Sequence, residues 1–158
     1  MNAILPLIIQ QLSNALQTAI DASERAHQAA TDKENIPDNK YDTLALEAAY
    51  LAHGQSMRIQ TLQTSLLDYK HAQFPSFDAQ SVIGLGALVS LMDDDEATFT
   101  YFIGPSSGGL SIQYQDTPVR ILTPTAPLGK LLIGKRINDE VVFTFQDSVT
   151  YYSIEAIQ

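Results

Sequence analysis

Four carboxylates fall within the thirteen residues TDKENIPDNKYDT, Thr31 to Thr43: Asp32, Glu34, Asp38 and Asp42. Hard oxygen donors suit Mg²⁺, which one or two carboxylates hold while waters and phosphate oxygens complete its shell. In two-metal phosphoryl chemistry one ion activates a water and the other stabilises the leaving oxygen. A segment that offers carboxylates without a nucleophile would complete a site held by another molecule. Asp38 and Asp42 also have a structural explanation, because Pro37 stops a preceding helix and both acids suit the first turn of the next one. Asp32 and Glu34 sit instead where a helix would end, and the helix dipole favours cations there. Local preference is violated at those two positions, which marks them for function, although a solvated turn would also accommodate them.

No rival site emerges elsewhere in the chain. There are no cysteines, which removes disulfides, thiolate metal sites and cysteine nucleophiles together. His27, His53 and His71 are far apart, so no pair has metal-ligand spacing and no Ser/His/Asp set can be argued. The glycine-rich run Gly104 to Gly109 lacks the lysine of a phosphate-binding loop and is expected to be a tight turn. Gly129-Lys130 and Gly134-Lys135 read as helix and cap chemistry. The run Asp93 to Glu96 lacks EF-hand spacing and is expected to be a solvated hairpin turn.

The acidic turn lies between two long helical patterns. Before it, apolar residues recur at Leu5, Ile8, Leu12, Ala15, Ala19, Ala22, Ala26 and Ala29. After it, Tyr41, Ala45, Ala48, Ala52, Gln55, Ile59, Leu62, Leu66 and Tyr69 repeat the same three-four alternation. Heptad stripes of this kind lay one helix along another, and a short connection makes the pair antiparallel. Each arm would extend about 40 Å, with the carboxylates at the tip. Alanines on both distal stripes predict a thin end.

The stretch HAQFPSFDAQ, residues 71–80, breaks both periodicities and holds the linker at 73–80, after which the texture turns to β. Strands are expected over Ser81–Met92, Ala97–Ile103, Leu110–Tyr114, Val119–Leu122, Val141–Phe145 and Val149–Ile154. Thr125 to Ile133, with Pro127 near its start and Gly134 after it, predicts one short helix. The fold class is therefore α+β: a coiled-coil hairpin over 1–72 with its tip at 31–43, and a small antiparallel sheet with one helix over 81–158.

Nine basic residues stand against eighteen acidic ones, a net charge of −9. Such a chain gains nothing from counterion release, so autonomous DNA or RNA binding is disfavoured. A basic protein surface or a metal ion is the better partner. The apolar start MNAILPLIIQQL has no basic segment before it and does not resemble a signal peptide, and nothing approaches the length of a membrane span. A cytoplasmic protein is expected.

The run VRILTPTAPLGKLLIGK, Val119 to Lys135, followed by Asp139-Glu140-Val141-Val142-Phe143, resembles the C-terminal domain of the GreA/GreB transcript cleavage factors. With the hairpin and its tip, the resemblance covers nearly the whole chain. It implies a coiled-coil finger on an FKBP-like domain that docks on bacterial RNA polymerase at the mouth of the secondary channel. It implies docking through the motif residues Pro124, Pro127, Leu128, Gly129 and Lys130. The acidic tip would then help bind Mg²⁺, shared with the polymerase, so that the enzyme cleaves the 3′ end of backtracked RNA. The family tip has the form Asp-Leu-Lys-Glu-Asn, against Thr31-Asp32-Lys33-Glu34-Asn35 here. Glu34 and Asn35 match in place, and the aspartate falls one residue late. A shifted register would instead match Asp38-Asn39 to the Glu-Asn pair. The resemblance thus implies an accessory factor, not an enzyme, with Asp32 and Glu34 as the assisting acids and Asp38 and Asp42 in reserve. The alternatives are a non-cleaving regulator in the same channel and a generic coiled-coil adaptor. A prolyl isomerase follows only from analogy of fold.

Overall fold

The computed structural model describes residues 3–31 and 43–158. Two long helices come first, α1 (Ile4–Thr31) and α2 (Thr43–His71). Six strands and one short helix follow: β1 (Leu88–Asp93), β2 (Thr98–Ile103), β3 (Ser111–Tyr114), β4 (Thr117–Leu122), α3 (Pro127–Leu132), β5 (Glu140–Phe145) and β6 (Ser148–Ile157). The α+β class is as expected.

The chain divides into two compact units. One joins the residues up to Ile8 to Asp68–Gln158, and the other is Ile9–Leu67. The start of α1 and the end of α2 share the first unit, so the two helices run in opposite senses. The expected linker, 73–80, lies inside that unit.

In the helical unit the α1 stripe is found as expected: Leu12 is buried, and Ala15, Ala19, Ala22 and Ala26 are half-buried. On α2, Gln55, Ile59 and Leu62 are half-buried and Leu66 is buried. Ala48 and Ala52 depart from the expectation, since both are exposed. An alanine has one methyl group to bury, so little apolar area holds that end of the stripe in place.

In the sheet unit the strand order is β3-β4-β2-β1-β6-β5. Every pairing is antiparallel except one: β2 and β4 run parallel, Thr100 opposite Val119 through Ile103 opposite Leu122. The sheet is therefore mixed, not purely antiparallel. A parallel neighbour needs a crossover, and the segment from Gly104 through β3 supplies it. The expected strand over Ser81–Met92 begins only at Leu88. Gly86 takes a φ of +93° and the Ala87 amide donates to Gly84, so a turn occupies 84–87. Turn chemistry overrides the apolar run there.

Alternation along the strands gives the sheet two apolar faces. One carries Val89, Leu91, Tyr101, Ile103, Val141 and Ile154 and packs with Leu128 and Leu132 of α3. On the other, the Phe102 ring meets Phe74 edge to face at 5.6 Å. Tyr69 at the end of α2 is fully buried and donates its hydroxyl to the Ser106 carbonyl at 2.8 Å. Gly104 leaves the room for that hydroxyl, because a Cβ there would collide with it and with Ile121. Ile4 and Ile8 of the same unit are also buried. Both faces are thus covered at the centre of the sheet, where Val89, Leu91, Phe102 and Ile103 are fully buried.

Candidate functional site

The carboxylates Asp32, Glu34, Asp38 and Asp42 lie outside the described residues. Among the described residues no cluster of three or more His, Asp, Glu or Cys side chains could hold a metal ion. The acidic run after β1 is a closed turn. The Asp93 carboxylate accepts from the backbone amides of Asp95 and Ala97, and Glu96 takes a φ of +61°. The loop over 104–109 is likewise occupied with its own geometry. Gly104 and Gly109 donate to Leu122 and Ile121, and Leu110 donates to Ser107. The amides at its two ends are thus spent on holding β4.

The remaining site is the Thr123–Lys135 segment, built around α3. Pro127 opens the helix, where its missing N–H costs nothing. Before it, the Ala126 amide donates to Thr123, which folds TPTAP into a turn. Gly129 is buried because the turn passes directly over it: a Cβ would collide with the Thr123 carbonyl. At the far end Ile133 donates to Gly129, and Gly134 adopts a φ of +81°. The Gly134 amide then donates to Ile83, whose own amide donates to Lys135. Arg136 ties the exit down further through its guanidinium to the Gln80 carbonyl and its amide to Asp139.

Of the five motif residues, Pro127 and Lys130 are exposed and Pro124 is half-buried. Leu128 and Gly129 are buried, so they hold α3 against the sheet and present no surface. Two residues not singled out by sequence stand beside the exposed ones, Leu131 (37% exposed) and Ile133 (40%). Helical spacing could have found Leu131: Leu128 and Leu132 lie four apart and take the core face, which turns Leu131 outward.

Charge sharpens the picture. From residue 77 to the end there are four basic residues, Arg120, Lys130, Lys135 and Arg136, all within 120–136. With Lys130 exposed beside Leu131, the outer side of α3 is a small apolar and cationic face on an acidic unit. Such a face fits an acidic protein surface.

Comparison with known proteins follows the same segment. The family described as "Transcription elongation factor, GreA/GreB, C-term" matches residues 78–158, which is 81 of the 158. The transcription elongation factor GreA of Novosphingobium aromaticivorans is 31% identical over 74 residues, 46% of this chain and 42% of the relative. GreA of Acetivibrio thermocellus is 26% identical over 143 residues, 87% of this chain and 80% of the relative. The first of these alignments spans less than half of the relative's length, and the second spans most of it. Among solved structures, Gfh1 of Thermus aquaticus is similar at a TM-score of 0.40 and 19% identity, with coverage of 94% of this chain and 92% of that one. A GreA/GreB factor of Nitrosomonas europaea reaches 0.39 and 13%, covering 73% and 94%. Superpositions this loose support no detailed comparison. The sequence match rests on the segment that builds α3 and the strands around it, and by that match the chain belongs to the GreA/GreB family of transcription elongation factors.

Proposed function

We propose that this chain is an accessory factor of bacterial RNA polymerase, docking through the α3 face and entering the secondary channel with its helical finger. The family match over 78–158 carries this reading, since it includes the whole α3 segment. The apolar and cationic face made by Pro127, Lys130, Leu131 and Ile133 supports a protein partner. The net charge of −9 argues against free nucleic acid as the target, so RNA is met only inside the complex. The protein acts in the cytoplasm on this reading.

At the tip, Asp32 and Glu34 supply carboxylate oxygens, the donor type Mg²⁺ takes. Two carboxylates are too few to hold the ion alone, so the polymerase provides the remaining ligands. When bound there, the ion supplies an activated water for hydrolysis of the RNA 3′ end. The acids of this chain orient that ion, and the polymerase performs the cleavage. Asp38 and Asp42 stand in reserve.

A second reading has its own observation. Thr31 stands where the family tip carries an aspartate, and Asp32 comes one residue late. A displaced acid points to a factor that occupies the channel without stimulating cleavage. Cleavage of RNA in a purified backtracked elongation complex, across Mg²⁺ concentrations, separates the two. The first reading predicts faster 3′-end cleavage, reduced at least about tenfold by Asp32→Ala with Glu34→Ala while binding is kept. No acceleration, together with competition against a known cleavage factor, selects the second. Neither effect returns the chain to the adaptor class.

A further inference from the structure

We propose that a cleft on the β2–β4–β3 face of the sheet binds a small organic carboxylate with an aromatic body. The cleft, about 110 Å³, is lined by Phe99, Tyr101, Ser111, Pro118 and Arg120, with Thr98, Thr100 and Val119. It does not depend on the polymerase reading.

Strand register explains why these side chains meet. Tyr101 is opposite Arg120, and Arg120 is opposite Ser111, so one row across three strands presents a phenol, a guanidinium and a hydroxyl. Two residues back along β2 and β4, and so on the same face, Phe99 and Pro118 add apolar surface to the lining. A polar row beside an apolar one matches a ligand with an anionic end and a flat hydrocarbon body. Guanidinium is the side chain suited to planar, bidentate recognition of a carboxylate.

Arg120 is exposed, and Tyr101, 8% exposed, reaches the cleft from the edge of the core. Among the described residues the Arg120 guanidinium has no ion pair, and neither it nor the Tyr101 hydroxyl has a hydrogen-bond partner. In a chain with twice as many acids as bases, an unpaired arginine beside an aromatic wall is notable. Phe99 is 38% exposed, and its ring is held edge-on to Tyr152 at 6.0 Å. Burial, and then Tyr152, push the Tyr101 hydroxyl above its ordinary pKa, while Arg120 pulls it back. The phenol thus remains a neutral donor at every physiological pH and can share an anion with Arg120. On the other side, after burial, the Asp93 charge also pushes Tyr152 up. An anion is therefore directed to the β4 side of the cleft and its ring toward Phe99. Cavities on the order of 150 Å³ accept benzene, so this open cleft takes part of a benzoate-sized molecule.

The test uses the whole chain and sodium benzoate, with ¹⁵N–¹H spectra as readout. Saturable shifts should centre on the amides of Phe99, Tyr101, Ser111 and Arg120, with a Kd on the order of 1 mM. Arg120→Gln should weaken binding at least about tenfold, Tyr101→Phe about threefold, and Arg58→Gln, a charge control on α2, not at all. Neutral benzamide should bind at least about tenfold more weakly than benzoate. Non-saturating shifts, equal affinity for benzamide, or benzoate affinity unchanged in Arg120→Gln would each overturn the proposal. Should Arg120→Gln fail to fold, Tyr101→Phe and the benzamide comparison decide it.

Discussion

Tyr69 and Gly129 each do something that residue type alone conceals. Tyr69 appears in the sequence as one more apolar member of a heptad stripe, yet its hydroxyl is bonded to Ser106, thirty-seven residues away. Burial, reinforced by the Asp68 charge, pushes its pKa well above the ordinary tyrosine value of 10.0. The folded state therefore keeps the proton after the unfolded state has lost it. Stability that is fully present below pH 10 should fall as pH rises past that value, and Tyr69→Phe should remove this part of the alkaline loss. Urea melts at pH 8 and pH 11 measure it, and equal slopes for both proteins would contradict the assignment. At neutral pH the same substitution should cost about 1 kcal/mol for the lost hydrogen bond. Gly129 reads in sequence as cap or docking chemistry, and its actual role is spacing, since the turn at Thr123 leaves no room for a Cβ. Gly129→Ala should destabilise the sheet unit by about 2 kcal/mol in denaturant melts. A neutral result would mean that the turn and α3 are not in close contact.

Periodicity located the elements, and it failed where pairing or turns decide the outcome. Both helices were legible from heptads, because each stripe repeats over many turns. The hairpin turns were legible from polar residues; Gln115 and Asp116 both take positive φ between β3 and β4, as a two-residue turn requires. The start of β1 was not legible, because VIGLGALV is apolar throughout and only the backbone at Gly86 reveals the turn. The parallel β2–β4 pairing was not legible either, since a strand's composition does not name its neighbour. Gln55 on α2 is a conflict that periodicity exposes but cannot resolve. It sits on the stripe, and its side-chain oxygen is buried with no hydrogen-bond partner among the described residues. Gln55→Leu should therefore stabilise the helical unit by about 1 kcal/mol, read as a higher thermal midpoint. An unchanged or lower midpoint would show that water satisfies that oxygen.

For the whole molecule, the proposed function divides between two places that sequence reached unequally. The α3 segment was legible because its Thr-Pro-Thr-Ala-Pro turn, helix and glycine exit occupy consecutive positions. Its exposed partners Leu131 and Ile133 emerged only once burial had assigned Leu128 and Leu132 to the core. The cleft on β2, β4 and β3 was invisible in sequence, because its lining comes from three strands brought together by a crossover. The tip carries the central claim, that its acids reach the catalytic centre of RNA polymerase. The chain has no cysteine, so Asn35→Cys provides a single thiol for an iron chelate at the tip. The direct measurement is to bind that conjugate to an elongation complex and map where hydroxyl radicals cut the polymerase. Cuts clustered around the polymerase's catalytic Mg²⁺, and lost on competition with unlabelled protein, are the predicted result. Cuts confined to the outer surface, or none, would contradict channel entry and the function built on it.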